Sequence, residues 1–203
     1  MSDLALPTGP YDVIYCDPPW SYRGRKQFGF AGDVGVCSGG AVQHYQTMSV
    51  DDLCALPVES IAAEDALLFM WMTSPCLPDG MRVMAAWGFT WATIAFVWDK
   101  SGGQSGGTNP GYYTMSQVEI CAVGKRGRIP QPRGSRNERQ MVTERRGKHS
   151  AKPAEVRERI TRMFPLQRRV ELFARERVAG WDAWGNECPD EITPERQLQI
   201  FGS

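Results

Sequence analysis

The chain has 203 residues, 42% of them hydrophobic, with 23 Lys+Arg against 23 Asp+Glu and a formal net charge of zero. That suffices for one sizeable domain with a real core, 1–203, and no second composition regime marks a further one. Six cysteines without a Cys-x-x-Cys spacing, and only His44 and His149, argue against disulfides and a structural metal; the absence of an apolar run of membrane-spanning length, or of a basic-then-apolar start, argues for a soluble cytoplasmic protein.

The first predicted element is a strand over Tyr11–Cys16, which opens into Asp17-Pro18-Pro19-Trp20. Two prolines fix backbone angles and remove N–H donors, so Asp17 and the carbonyl oxygens around it can face a ligand without internal partners. Such an acceptor-rich platform fits an amine with a hydrogen to donate. The flat face of Trp20 suits stacking on a planar ring beside it. Plain turn chemistry after a strand is the alternative reading of the same residues.

Ser49 caps a helix predicted to run to about Ala62, with Asp51 and Asp52 in the first turn where the helix dipole favours them. Ala66–Met72 is nearly continuous apolar sequence, as for a strand covered on both faces. A helix around Asp79–Trp87 and strands at Ala92–Trp98 and Val118–Val123 follow. Pro153 suits a first helical position, and Val156, Ile160 and Phe164 share one helix face. Arg169–Ala174 and Trp181–Trp184 close the series as strands. Alternating strands and helices with buried strands argue for an α/β fold with a mostly parallel sheet flanked by helices, and ligands in such folds collect at the carboxyl ends of the strands. Asp17 lies at one such end and Arg175 at another.

Segments 21–47, 99–116 and 125–151 lack periodicity, and loops this long in a compact domain are usually functional or disordered. They read as the substrate-facing surface. Charge is uneven: residues 1–99 carry 4 Lys+Arg against 11 Asp+Glu, leaving 19 against 12 in the remainder. Lys125, Arg126, Arg128, Arg133, Arg136, Arg139, Arg145, Arg146 and Lys148 form a basic arm suited to phosphates, although a solvated loop would look the same. No Gly-x-Gly-x-x-Gly occurs; Gly185-Asn186-Glu187 instead offers a turn with an amide and a carboxylate for ribose hydroxyls, or a plain turn.

Asp17-Pro18-Pro19-Trp20, Tyr45-Gln46-Thr47-Met48-Ser49, Leu68-Phe69-Met70-Trp71, Trp87-Gly88-Phe89, Val97-Trp98-Asp99-Lys100, Glu119-Ile120-Cys121-Ala122-Val123-Gly124, Lys152-Pro153, Glu171-Leu172-Phe173-Ala174-Arg175 and Gly185-Asn186-Glu187 occur in this order. The ordered set resembles the S-adenosylmethionine-dependent adenine methyltransferases typified by the catalytic subunit of the eukaryotic messenger-RNA adenosine methyltransferase, and in particular their short phage and bacterial members. The resemblance covers about Tyr11 to Glu187. It implies a Rossmann-like methyltransferase fold with permuted motif order, S-adenosylmethionine as cofactor, and nucleic acid as partner, with DNA favoured over RNA and room left for a homodimer. It further implies that Asp17, Pro18 and Pro19 hold the adenine amine, with Trp20 beside the base and Tyr45 bordering the transfer site. Asp17, Lys152, Glu171, Arg175, Asn186 and Glu187 would contact the cofactor. One departure stands out: after Arg175 the larger members place a histidine and an asparagine, whereas this chain has Glu176-Arg177-Val178. A non-catalytic nucleic-acid-binding subunit, and an enzyme acting on RNA or free nucleotides, are the competing readings.

Overall fold

The computed structural model describes residues 5–21, 47–103, 109–110, 113–147, 151–186 and 188. The first strand, β1 (Tyr11–Cys16), coincides with the predicted one. Helix α1 (Val50–Ala55) is capped by the Ser49 side chain, which accepts from the Asp52 amide, but it ends well before the expected Ala62. Pro57 is the reason: the residue before a proline is pushed out of the helical region, and Leu56 is extended. A single 3₁₀ turn, Val58–Ile61, follows, and strand β2 (Ala62–Met72) starts four residues earlier than expected.

Helix α2 (Leu77–Ala86) leads to β3 (Thr90–Asp99). The segment expected to be irregular after Asp99 contains a small ribbon, β4 (Asn109–Pro110) paired antiparallel with β5 (Met115–Ser116). Strand β6 (Val118–Arg126) is longer than predicted and takes in the first two residues of the basic arm. Strand β7 (Met141–Thr143), helix α3 (Ala154–Met163), β8 (Arg169–Leu172) and β9 (Asp182–Trp184) complete the order.

Seven strands form one sheet in the order β7-β3-β6-β2-β1-β8-β9. Strand β6 runs against both its neighbours, and the other four pairings are parallel. The sheet is therefore mixed but mostly parallel, as in a Rossmann-like methyltransferase fold. Alternation along β2 divides the core: Leu68, Met70 and Met72 pack with Leu53, Val83 and Trp87 of the α1–α2 side. Leu67, Phe69 and Trp71 point the other way, to Val156, Ile160 and Phe164 of α3. Both faces of β2 are thus covered, which is why Ala66–Met72 reads as unbroken apolar sequence.

Candidate active site

Strands β1 and β8 pair in parallel with Tyr15 opposite Glu171 and Cys16 opposite Leu172, so Asp17 and Phe173 emerge side by side at their carboxyl ends. Helix α3 returns antiparallel to these strands, which brings Lys152 and Pro153, just ahead of its first turn, to the same end. A cavity of about 360 Å³ opens there, lined among others by Asp17, Lys152, Arg157, Glu171, Phe173 and Arg175. Phe173 interrupts the expected strand 169–174. Its φ of 61° is left-handed, a conformation uncommon outside glycine and found often at ligand sites. Its ring meets Trp184 edge-on at 5.4 Å.

Asp17 does not stand free. Lys152 Nζ lies 2.7 Å from its Oδ2 and 3.3 Å from Glu119 Oε2, while Lys100 Nζ lies 3.3 Å from Glu119 Oε1. Burial alone would lower the Lys152 pKa, but Asp17 and Glu119 outweigh it and hold it above the ordinary lysine value. Burial likewise pushes Glu119 up, and Lys152 and Lys100 together overcome that and set it below the usual carboxylate range. The four side chains form an alternating charge network, of which Asp17 and Lys152 line the cavity.

The Asp17-Pro18-Pro19-Trp20 loop differs from the sequence expectation in two respects. Its carbonyls have partners, since the Trp20 amide donates to Pro18 O at 2.8 Å and the Met48 amide to Pro19 O at 2.9 Å. Trp20 is buried in the apolar cluster, 6% exposed, and its indole N–H donates to Trp71 O at 3.1 Å. An indole is worth more to the core than to solvent when its one donor is satisfied. Trp20 therefore braces the loop against β2, and the open stacking face read from the sequence is not presented.

Across the cavity, Arg157 is 9% exposed and bridges two carboxylates, Glu171 Oε2 at 2.7 Å and Glu176 Oε1 at 2.6 Å. Burial raises the Glu171 pKa, and the Arg157 guanidinium only partly opposes that. Lys100, Glu119 and Phe173 lie within the ordered motifs but were given no site role from the sequence, and Arg157 lies outside those motifs. The available signal for Arg157 is a charge set between Val156 and Ile160 on the apolar face of α3; for Lys100 and Glu119 it is a charge at the end of a strand.

Of the other predicted site residues, Arg175 lines the cavity. Asn186 is exposed in the turn after β9, outside the cavity lining. Gly185 brings that turn against the chain just after β8, because a Cβ there would collide with the Ala174 backbone. Tyr45, Glu187 and Lys148 fall outside the described residues.

The basic arm proves not to be one surface. Lys125 and Arg126 pair in register with Leu67 and Ala66, at the end of the sheet away from Asp17. Arg126 and Arg128 pair there with Glu59 and Asp65. Arg133 stacks over the Phe164 ring at the far end of α3. Arg136 and Arg139 are exposed along the return path, and only after β7 does the chain regain the Asp17 end, where Glu144 and Gly147 line the cavity and flank Arg145 and Arg146. A continuous basic run in sequence is thus spread over the length of the sheet.

The MT-A70 family profile matches residues 11–187, nearly the whole chain. The chain belongs to the MT-A70 family. This MT-A70 chain is 45% identical over 195 residues to the type II methyltransferase M.MunI of a Mycoplasma species, across 91% of its own length and 81% of that protein's. It is 27% identical to the N(6)-adenosine-methyltransferase MT-A70-like of Arabidopsis thaliana, covering 88% of this chain and 24% of that one. The human N(6)-adenosine-methyltransferase catalytic subunit METTL3 is 24% identical, with 88% and 28% covered. The MT-A70 chain therefore spans most of the first relative and about a quarter of these two eukaryotic ones. Among the described residues no helix is long and apolar enough to cross a membrane.

Proposed function

We propose that this protein transfers a methyl group from S-adenosylmethionine to the exocyclic amine of adenine in nucleic acid, with DNA favoured over RNA, in the cytoplasm. The observation that carries the reading is the Asp17 carboxylate, held by Lys152 at 2.7 Å yet still 27% exposed at the mouth of the β1–β8 cavity. The preference for DNA rests on the relatives: the one at 45% identity is named a type II methyltransferase, while those at 24% and 27% are named for adenosine.

The cavity chemistry fits the cofactor. Its volume lies in the range of small-molecule sites. Asp17, Glu171 and Glu176 offer acceptors for a cationic ligand, and Lys152 and Arg175 offer donors for its carboxylate. Lys152, Glu171, Arg175 and Asn186 would hold it, joined by Glu187 in the sequence reading. When bound, S-adenosylmethionine supplies a methyl on a positively charged sulfur, transferred by direct displacement.

The aromatic amine is a weak nucleophile because its lone pair is delocalised into the ring. Asp17 accepts a hydrogen bond from the amine, which favours a more tetrahedral nitrogen and aims the lone pair outward. Lys152 fixes the Oδ2 edge of that carboxylate, so the acceptor cannot rotate away. The amine proton released on transfer leaves through Asp17 to solvent. Positioning of this kind supplies on the order of 7–11 kcal/mol when the reacting atoms are held in line. Tyr45 and the Pro18–Pro19 backbone would border the base.

Incubating the protein with methyl-labelled cofactor and a panel of duplex DNA, single-stranded DNA, RNA and free nucleotides tests the reading. Label in the N6 position of DNA adenine is the expected result. Cofactor binding without label on any member of the panel would instead indicate a non-catalytic subunit.

A further inference from the structure

The most exposed large apolar side chain among the described residues is Tyr113, at 99%. It follows β4 and precedes β5 in the small ribbon, with Met115 57% exposed and Val118 38% exposed below it. The root of this hairpin is pinned. Asp99 Oδ1 accepts from the Ser101 amide and from Gln117 Nε2, both at 2.9 Å, and the Lys100 amide donates to Gln117 O at 3.1 Å. The two residues at the root, Lys100 and Glu119, belong to the charge network that ends on Asp17. An unprotected aromatic, Tyr113, is thus carried on a segment whose root joins the charge network that ends on Asp17.

Its electrostatics suit nucleic acid. From Ser101 to Val118 there is no Asp or Glu to repel phosphate. Gly102 has a φ of +65°, and a Cβ on it would collide with the Arg145 stem, so the Arg145 side chain lies against the hairpin root. An adenine in a duplex cannot reach Asp17 without leaving the stack, and proteins that open a base step commonly insert an apolar wedge into it.

We propose that the β4–β5 hairpin enters a duplex beside the target adenine and that Tyr113 stacks in the gap the extruded base leaves. This rests on the reading of the cavity as an adenine methylation site, and it adds that the substrate is double-stranded. Tyr113 acts on the helix left behind, not on the reacting base. Its loss should matter only where there is a stack to hold open.

The test compares wild type, Tyr113→Ala and Tyr113→Trp for label transfer to unmethylated plasmid DNA, native and heat-denatured. Tyr113→Ala should slow methylation of native plasmid by at least about tenfold, from the usual worth of one aromatic–base stack. It should stay within about twofold of wild type on denatured plasmid, and Tyr113→Trp should keep the duplex activity, by the same stacking argument. Equal effects on both forms, or none on either, overturn the proposal. So does a wild type active only on denatured plasmid. A wild type that binds cofactor but labels neither form refutes the methyltransferase reading and the wedge with it. Sedimentation of the same variants covers the other occupant: if Tyr113→Ala converts a dimer to a monomer and loses activity on both forms, the hairpin meets a second copy of this chain instead.

Discussion

The Lys152 ammonium reaches the Asp17 carboxylate at 2.7 Å across 135 positions of sequence. The contact ties the loop after β1 to the start of α3, so the acceptor and one wall of the cavity are fixed by a single pair. Asp17→Ala removes the acceptor while leaving the apolar clusters intact. The variant should fold and, assayed at saturating cofactor, lose more than about nine-tenths of its turnover, a barrier increase above ~1.4 kcal/mol. Turnover above that level would remove Asp17 from the chemistry.

Lys152→Met leaves Asp17 and Glu119 facing each other without their shared cation. Breaking such a half-buried network costs about 3–5 kcal/mol. Glu119 is held below the ordinary carboxylate value once both lysines offset its burial. Stability from a group depressed in this way is present above its unfolded pKa, about 4.3, and is lost as pH falls through the lower folded value. Urea titrations should therefore show a large gap between wild type and Lys152→Met at pH 7 that closes on strong acidification.

Arg157→Gln should behave as a pH-dependent defect of a different origin. Glu171 is raised by burial, and besides Arg157 it faces Glu176 from the following loop, Asp17 after β1 and Tyr15 on β1, none of which relieves it. Removing Arg157 pushes it higher. A carboxyl with a raised folded pKa contributes stability below its unfolded value, about 4.3, and loses it as pH rises through the folded value. The deficit of Arg157→Gln should widen from acid toward neutral pH. Adding Glu171→Gln should remove that widening. A deficit that is flat with pH would mean that Arg157 only fills space.

The placement of the basic residues gives opposite expectations for its two ends. Arg145→Gln with Arg146→Gln should flatten log-affinity for duplex DNA against log-salt by up to about 1.8, from roughly 0.9 per lost phosphate contact. Lys125, Arg126 and Arg128, at the other end of the sheet, should leave the slope unchanged when replaced together. Sequence preference should survive in both, because phosphate contacts position the protein without reading bases. An unchanged slope in the Arg145/Arg146 variant would move the phosphate track to another surface.

Asn186→Ala should raise the cofactor dissociation constant with little effect on folding, as expected of an exposed turn residue assigned to ribose. Gly185→Ala should do the same indirectly, since its Cβ must displace the turn from the Ala174 backbone. Calorimetry on both variants reads the effect. Unchanged affinity in Asn186→Ala, with a shift in Gly185→Ala, would leave the turn as a wall of the site and remove the amide from it.

Much of this arrangement was legible in the sequence because it depends on local rules. Strand β1, the two-faced burial of Ala66–Met72, the Ser49 cap and the apolar stripe of α3 all follow from spacing and residue type. The reversed direction of β6 was not, since a buried apolar run looks the same whichever way it pairs. The early end of α1 was written in Leu56-Pro57, where the restriction on the residue before proline outweighs the favourable first turn. Arg157 was concealed because an arginine on a helix ordinarily denotes a solvated face, and its two carboxylate partners come from a strand and a loop that only the register brings near. The scattering of the basic arm has the same cause: proximity along the chain gave way to the path of β6 and β7 across the sheet.

Because β6 runs opposite to its neighbours, it reaches Lys152 with its first residues, so Glu119 arrives on a segment the chain enters after the β4–β5 hairpin. Asp99 and Gln117, which bracket that hairpin in the chain, are bonded to each other. Residues can be gained or lost between them without shifting the register of the sheet. Length and composition can change between those two residues while Asp17, Lys152 and Glu119 keep their places in the network.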